Sequence, residues 1–129
     1  MMFGALTATA GWSGRYTHCS VVFENKIFVM GGYDSTSMND VWSSSDGATW
    51  DLVTGTAGWS ARTDHSAVAF SDKIFVMGGN DGSSRQNDVW SSVDGATWDL
   101  VTATAGWSGR NAHVSLTYND KIFVMVLLI

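Results

Sequence analysis

Apolar and β-branched residues occur in short runs broken by Gly, Asp, Asn and Ser. The clearest run, Lys26-Ile27-Phe28-Val29-Met30, returns at Lys73 and again at Lys121. Ahead of it stand His18–Phe23, His65–Phe70 and His113–Tyr118, separated from it by Glu24-Asn25, Ser71-Asp72 and Asn119-Asp120. Each pair reads as two strands joined by a turn. Gly31-Gly32 and Gly78-Gly79 are expected to end the second strand. A third strand follows at Asp40–Ser44 and Asp88–Ser92, and a fourth at Thr49–Thr54 and Thr97–Thr102. Asp46-Gly47 and Asp94-Gly95 between them predict a type I′ hairpin turn, in which both central residues need positive φ. No apolar spacing of helical period persists over a helical length, so the pattern predicts an all-β chain.

The pattern repeats. Gly-Trp-Ser-(Gly/Ala)-Arg begins at Gly11, Gly58 and Gly106, and the tryptophans are 47 and 48 residues apart. From Asn39 to Arg62, 21 of 24 residues are identical to Asn87–Arg110. The one-residue difference in period falls in the loop after the double glycine, where insertions cost little. Four antiparallel strands at this period predict a β-propeller blade. Blades pack on both faces, which accounts for inner strands that are apolar or small on both sides. Wide aromatic rings filling the gaps between sheets account for seven tryptophans in 129 residues.

In three features the chain resembles the kelch-repeat family. They are Arg-x-x-His ahead of the first strand (Arg15/His18, Arg62/His65, Arg110/His113), the double glycines, and the tryptophans eight residues apart at 42/50 and 90/98. The resemblance covers nearly the whole chain. It implies propeller blades and, in most of the family, a protein-interaction platform; a minority are enzymes such as galactose oxidase and sialic-acid epimerases. The expected organisation is one repeat region over 1–129: a fourth strand of a preceding blade in 1–12, blades in 13–54 and 60–102, and the first two strands of another in 108–129. At a 48-residue period that is an incomplete ring, since the smallest propellers have about four blades. A piece of a longer propeller is the first expectation. The others are an open stack with exposed edges, or two chains forming a six-bladed ring, the N-terminal strand of one completing Val114–Ile129 of the other.

Charge narrows the partners. Seven Lys and Arg against twelve Asp and Glu give a net charge of −5, which lacks the footprint of a nucleic-acid binder or of an anionic-membrane anchor. No apolar run approaches the ~20 residues of a transmembrane helix, and the N-terminal residues do not read as a signal peptide, so the cytoplasm is the default expectation. The single cysteine, Cys19, excludes an intrachain disulfide. With Ser66 and Val114 in its place in the other units, Cys19 is expected to be a small buried residue.

Alternating strand directions place the segments leading into each first strand on one face with the loops between second and third strands. That face gathers Arg15, Tyr16 and Thr17, Arg62 and Asp64, Arg110, and the loop residues Tyr33 and Arg85. These eight are the expected binding residues, because three repeated guanidiniums would grip a carboxylate of a protein or peptide ligand. The competing reading pairs each arginine with a blade aspartate such as Asp40 or Asp88, holding a loop. Residues beside the arginines vary between units while the frame hardly changes, which marks them as the specificity surface. His18, His65 and His113 lie too far apart around a ring to share a metal ion comfortably, and are expected to be packing residues. Ser44–Trp50 and Ser92–Trp98 resemble the Asp-box hairpin of sialidases, with one residue fewer between Asp and Trp, and are expected to serve folding. No cofactor or catalytic residue is expected. A carbohydrate-active enzyme is the alternative, with Asp64 as its one unit-specific rim carboxylate.

Overall fold

A computed structural model describes residues 7–126. Its strands are β1 (Cys19–Phe23), β2 (Lys26–Asp34), β3 (Thr36–Ser44), β4 (Asp51–Thr54), β5 (Ser66–Phe70), β6 (Lys73–Met77), β7 (Val89–Ser92), β8 (Asp99–Thr102), β9 (Val114–Tyr118) and β10 (Lys121–Met125). They form two four-stranded sheets, in the orders β1-β2-β3-β4 and β5-β6-β7-β8, and a two-stranded sheet of β9 and β10. Every pairing is antiparallel. The described residues are all-β, arranged as partial propeller blades with no closed barrel. None of their structure is a helix long and apolar enough to cross a membrane. The strand expected within residues 1–12 falls largely outside the described residues.

The turns between first and second strands are the type I′ connections. Glu24-Asn25, Ser71-Asp72 and Asn119-Asp120 all have both φ values positive, between 48° and 60°. The Asp-Gly connections differ from expectation, because only Gly47 and Gly95 have positive φ there. Side-chain caps hold a wider loop. Ser44 Oγ accepts from the Gly47 N–H at 2.7 Å, and Asp46 Oδ1 accepts from the Ala48 and Thr49 N–H groups at 2.8 Å each. Blade two repeats this with Ser92 and Asp94. With Thr49 and Thr97 capped, β4 and β8 begin at Asp51 and Asp99, two residues later than the pattern predicts.

The double glycines also behave differently in the two blades. In blade two β6 stops at Met77, as expected, but β2 runs through Gly31-Gly32 to Asp34 across an irregularity in register. The shorter first-blade loop closes on Ser35 alone (φ 58°), keeping Tyr33↔Ser37 and Asp34↔Thr36 paired. The longer second-blade loop is turned by Asp81, whose Oδ1 accepts from the Ser83 and Ser84 N–H groups at 2.9 Å.

The core lies between the first two blades. Met30 and Val41 of one, with Ile74 and Val76 of the other, have no exposure, and Trp59 between the blades is equally buried. Inner strands pack face to face, β1 on β5 and β5 on β9. The tryptophan just before each fourth strand meets the tryptophan leading into its own blade edge-on: Trp50 on Trp12 at 5.6 Å, and Trp98 on Trp59 at 5.8 Å. The third unit is less covered, with Val114, Leu116, Phe123 and Met125 exposed.

Candidate functional site

The lead-in segments and the loops after the second strands share one face. Tyr16 and Tyr33 exchange backbone hydrogen bonds at 3.2 and 2.9 Å, and Thr63 and Asn80 do so at 2.9 Å in both directions. These bridges fix the lead-in against its own blade.

Arg15 and Arg62 sit inside that frame. Arg15 donates from Nη1 and Nη2 to the two Asp40 oxygens at 2.6 and 2.9 Å, and from Nη1 to the Gly31 carbonyl at 3.1 Å. Arg62 does the same with Asp88 at 2.7 and 2.9 Å, and with the Gly78 carbonyl at 2.8 Å. Both guanidiniums lie near the ring of a preceding tryptophan, Trp12 or Trp59, and both side chains are only 1% exposed. Trp42 and Trp90 add an indole N–H to the same carboxylates. Burial pulls the Asp40 and Asp88 pKa values upward, but the hydrogen bonds from arginine and tryptophan outweigh it and leave both below the ordinary value. Two of the three expected ligand-facing guanidiniums are therefore engaged within their own blades, in the arrangement that competed with the binding reading.

Arg110 differs. Its Nε donates to the Ser108 carbonyl at 3.1 Å and its guanidinium lies 5.3 Å from the Trp107 ring, yet no carboxylate pairs with it among the described residues. Arg85 is exposed, and its backbone packs on the neighbouring Gly109. Both line a depression of about 460 Å³ with Ser108, Asn111, Ala112 and Val126. The structure thus gathers Arg85 with Arg110, and separates this pair from Arg15 and Arg62.

The residues that vary between units form a second feature. Thr17, Asp64 and Ala112 occupy equivalent positions, all with left-handed φ of 54° to 57°. The Asp64 N–H donates to the Thr17 carbonyl at 3.0 Å, and the Ala112 N–H to the Asp64 carbonyl at 2.9 Å. Backbone bonds between units hold this ladder, so its side chains are free to differ. Non-glycine residues in this region carry strain that the surroundings must impose. Beside the ladder, Tyr16 is 62% exposed and its ring lies 5.5 Å from that of Tyr33. Sequence variation pointed to these residues; nothing in the residue types announced their backbone conformation.

The histidines pack between units. A Cβ added at Gly31 would come within 2.7 Å of His65 Cε1, and one at Gly78 within 2.6 Å of His113 Cε1. His113 Nε2 lies 2.7 Å from Ser66 Oγ. The ring nitrogens of His65 make no hydrogen bond of good geometry, though the Met30 backbone lies close by. Burial, assisted by the Arg62 charge, pushes the His65 pKa down to about 3. Cys19 is buried as expected, and burial pushes its thiol well above the usual range, away from reactivity. Among the described residues, no group of three or more His, Cys, Asp or Glu is placed to hold a metal ion.

A family model described as the KLHDC2/KLHL20/DRC7 Kelch-repeats domain matches residues 6–126. No curated protein matches the chain.

Proposed function

The chain belongs to the kelch-repeat family, and from that membership we propose that it binds a protein or peptide through the loops of one blade face, without catalysis. Kelch repeats are in general protein-interaction modules and generally non-catalytic. The observation that carries the reading is the ladder of Thr17, Asp64 and Ala112, three unlike side chains held on a repeated backbone. A rigid frame with variable residues is the usual construction of a recognition surface. Tyr16 and Tyr33 supply an aromatic anchor at its first-blade end. Arg85 and Arg110 supply a cationic depression at its other end, suited to an acidic group of the ligand. Arg15 and Arg62 serve this surface indirectly, by fixing the segments that carry Tyr16, Thr17 and Asp64. The whole reading treats the chain as part of a larger propeller.

Selection of a displayed peptide library on the full chain tests it. Enriched peptides are expected to lose affinity roughly tenfold on Tyr16→Ala combined with Tyr33→Ala, and again on Asp64→Ala. Val22→Ala, on an exposed position of β1, is expected to leave binding unchanged. Peptides that ignore the first two changes would remove the loop face as the binding surface.

A further inference from the structure

Two like junctions join the described units, and one residue distinguishes them. At the first, the His65 ring packs on Gly31; at the second, the His113 ring packs on Gly78. Matching backbone bonds cross each junction. The first has Gly32 N–H to the Arg62 carbonyl at 3.1 Å, Arg62 N–H to Met38 at 3.1 Å, and Asp64 N–H to Thr17 at 3.0 Å. The second has Gly79 N–H to the Arg110 carbonyl at 2.8 Å, Arg110 N–H to Gln86 at 3.0 Å, and Ala112 N–H to Asp64 at 2.9 Å. The repeat puts Cys19 at the first junction where Ser66 stands at the second. Ser66 Oγ meets His113 Nε2 at 2.7 Å, whereas the Cys19 thiol turns to the Met30 carbonyl at 3.9 Å. His65, only 5% exposed, has neither ring nitrogen in a hydrogen bond of good geometry. The groups that face it offer a proton no compensation. They are Arg62 of its own lead-in, His18 and Cys19 of the first unit, and His113 of the third. Asp88 is held at both oxygens by Arg62.

We propose that the first junction is an acid-released hinge, in which protonation of His65 parts the first blade from the second. An imidazolium donates from both nitrogens, and burying it without acceptors is costly. His113 has an acceptor in Ser66, so the second junction withstands the same protonation better. Burial holds the His65 ring neutral while the junction is closed. Closure is therefore fully stabilised above the ordinary histidine pKa of 6.5, and weakens as pH falls from there toward about 3. Opening also breaks the bond between Asp64 and Thr17, so acid releases a ligand held on the loops. That consequence rests on the loop-face reading; the hinge stands without it.

Amide exchange of the full chain at pH 7 and pH 5, without ligand and corrected for intrinsic rates, tests the hinge alone. The opening constant at Gly32, Arg62 and Asp64 is expected to rise roughly twentyfold. At Gly79, Arg110 and Ala112 the rise is expected to be clearly smaller. Each set is compared with itself, which removes the unequal cover of the units. Cys19→Ser offers His65 the acceptor that Ser66 offers His113, and is expected to bring the first response down to the second. His65→Asn removes the titrating group and is expected to abolish the first response. A flat response at Gly32, Arg62 and Asp64, or equal responses at the two junctions, overturns the proposal. So does a first response that survives both substitutions unchanged.

Discussion

At the scale of single residues, the arginine–aspartate pair is the element with the most to lose. Removing one partner of a desolvated pair leaves the other charge without compensation. Asp88→Asn is expected to cost about 2–3 kcal/mol, because it strands the buried Arg62. Asp40→Asn should cost a similar amount, since the Arg15 side chain is equally buried. Arg110→Ala, with no carboxylate partner among the described residues, should stay within ~0.5 kcal/mol. Urea unfolding of the three variants checks the order, and equal losses would contradict the role given to the pair. Legibility at this scale was uneven. The arginines announce themselves by recurrence, but their partners lie 25 and 26 residues away, across two strands. Asp40 and Asp88 stood in the sequence only as one of two possibilities, because pairing at that distance follows from the sheet register. The left-handed backbone of Thr17, Asp64 and Ala112 was illegible, since Thr and Ala carry no preference for it.

Strands and loops divide along similar lines. β1, β5 and β9 begin one residue after the expected histidine, and the Lys-Ile-Phe-Val-Met strands start where the alternation places them. Strands are legible because a β-branched run has few other ways to bury itself. The Asp46 and Asp94 loops were misread as type I′ turns because the dipeptide was judged without Ser44 and Ser92, whose hydroxyls compete for the same backbone donors. Contacts between elements were harder still. The double glycines are expected only to end strands, whereas the first of each pair also receives a histidine from the next unit, with Gly78 at φ 63° beneath His113. Gly78→Ala is therefore expected to destabilise by about 2 kcal/mol, combining backbone strain with overpacking. Exchange should accelerate most in β9 and β10, the elements His113 leads into. Gly55→Ala, where an added methyl meets nothing within 4 Å, serves as the neutral control. Similar losses in both would show that His113 and Gly78 do not couple the units.

Across the molecule, stability is a sequence of unit-to-unit contacts rather than one centre. Ile74 and Val76 of β6 are fully buried, while Phe123 and Met125 of β10 are open, although the two strands are identical at all five positions. Identical sequence in unequal company should unfold unequally. Native-state hydrogen exchange is expected to give β10 amides a markedly lower opening free energy than β6 amides, and uniform protection would refute the gradient. The same contacts bear on a ring completed by a second copy. Val126 stands where Gly31 and Gly78 stand, so His18 of a copy stacked in continuation would press on a side chain instead of a glycine.

The histidine-on-glycine contact between units has a direction: each of the first two units offers the first glycine of its pair, Gly31 or Gly78, to the histidine of the next, His65 or His113. Such a junction works as a grammar, in which any unit carrying both signals is legible to its neighbours whatever its loops contain. Repeat number and loop content then become independent variables for evolution. A duplication in frame adds a word without rewriting the sentence, and the 21 of 24 residues shared between Asn39–Arg62 and Asn87–Arg110 are what one such copying event leaves behind.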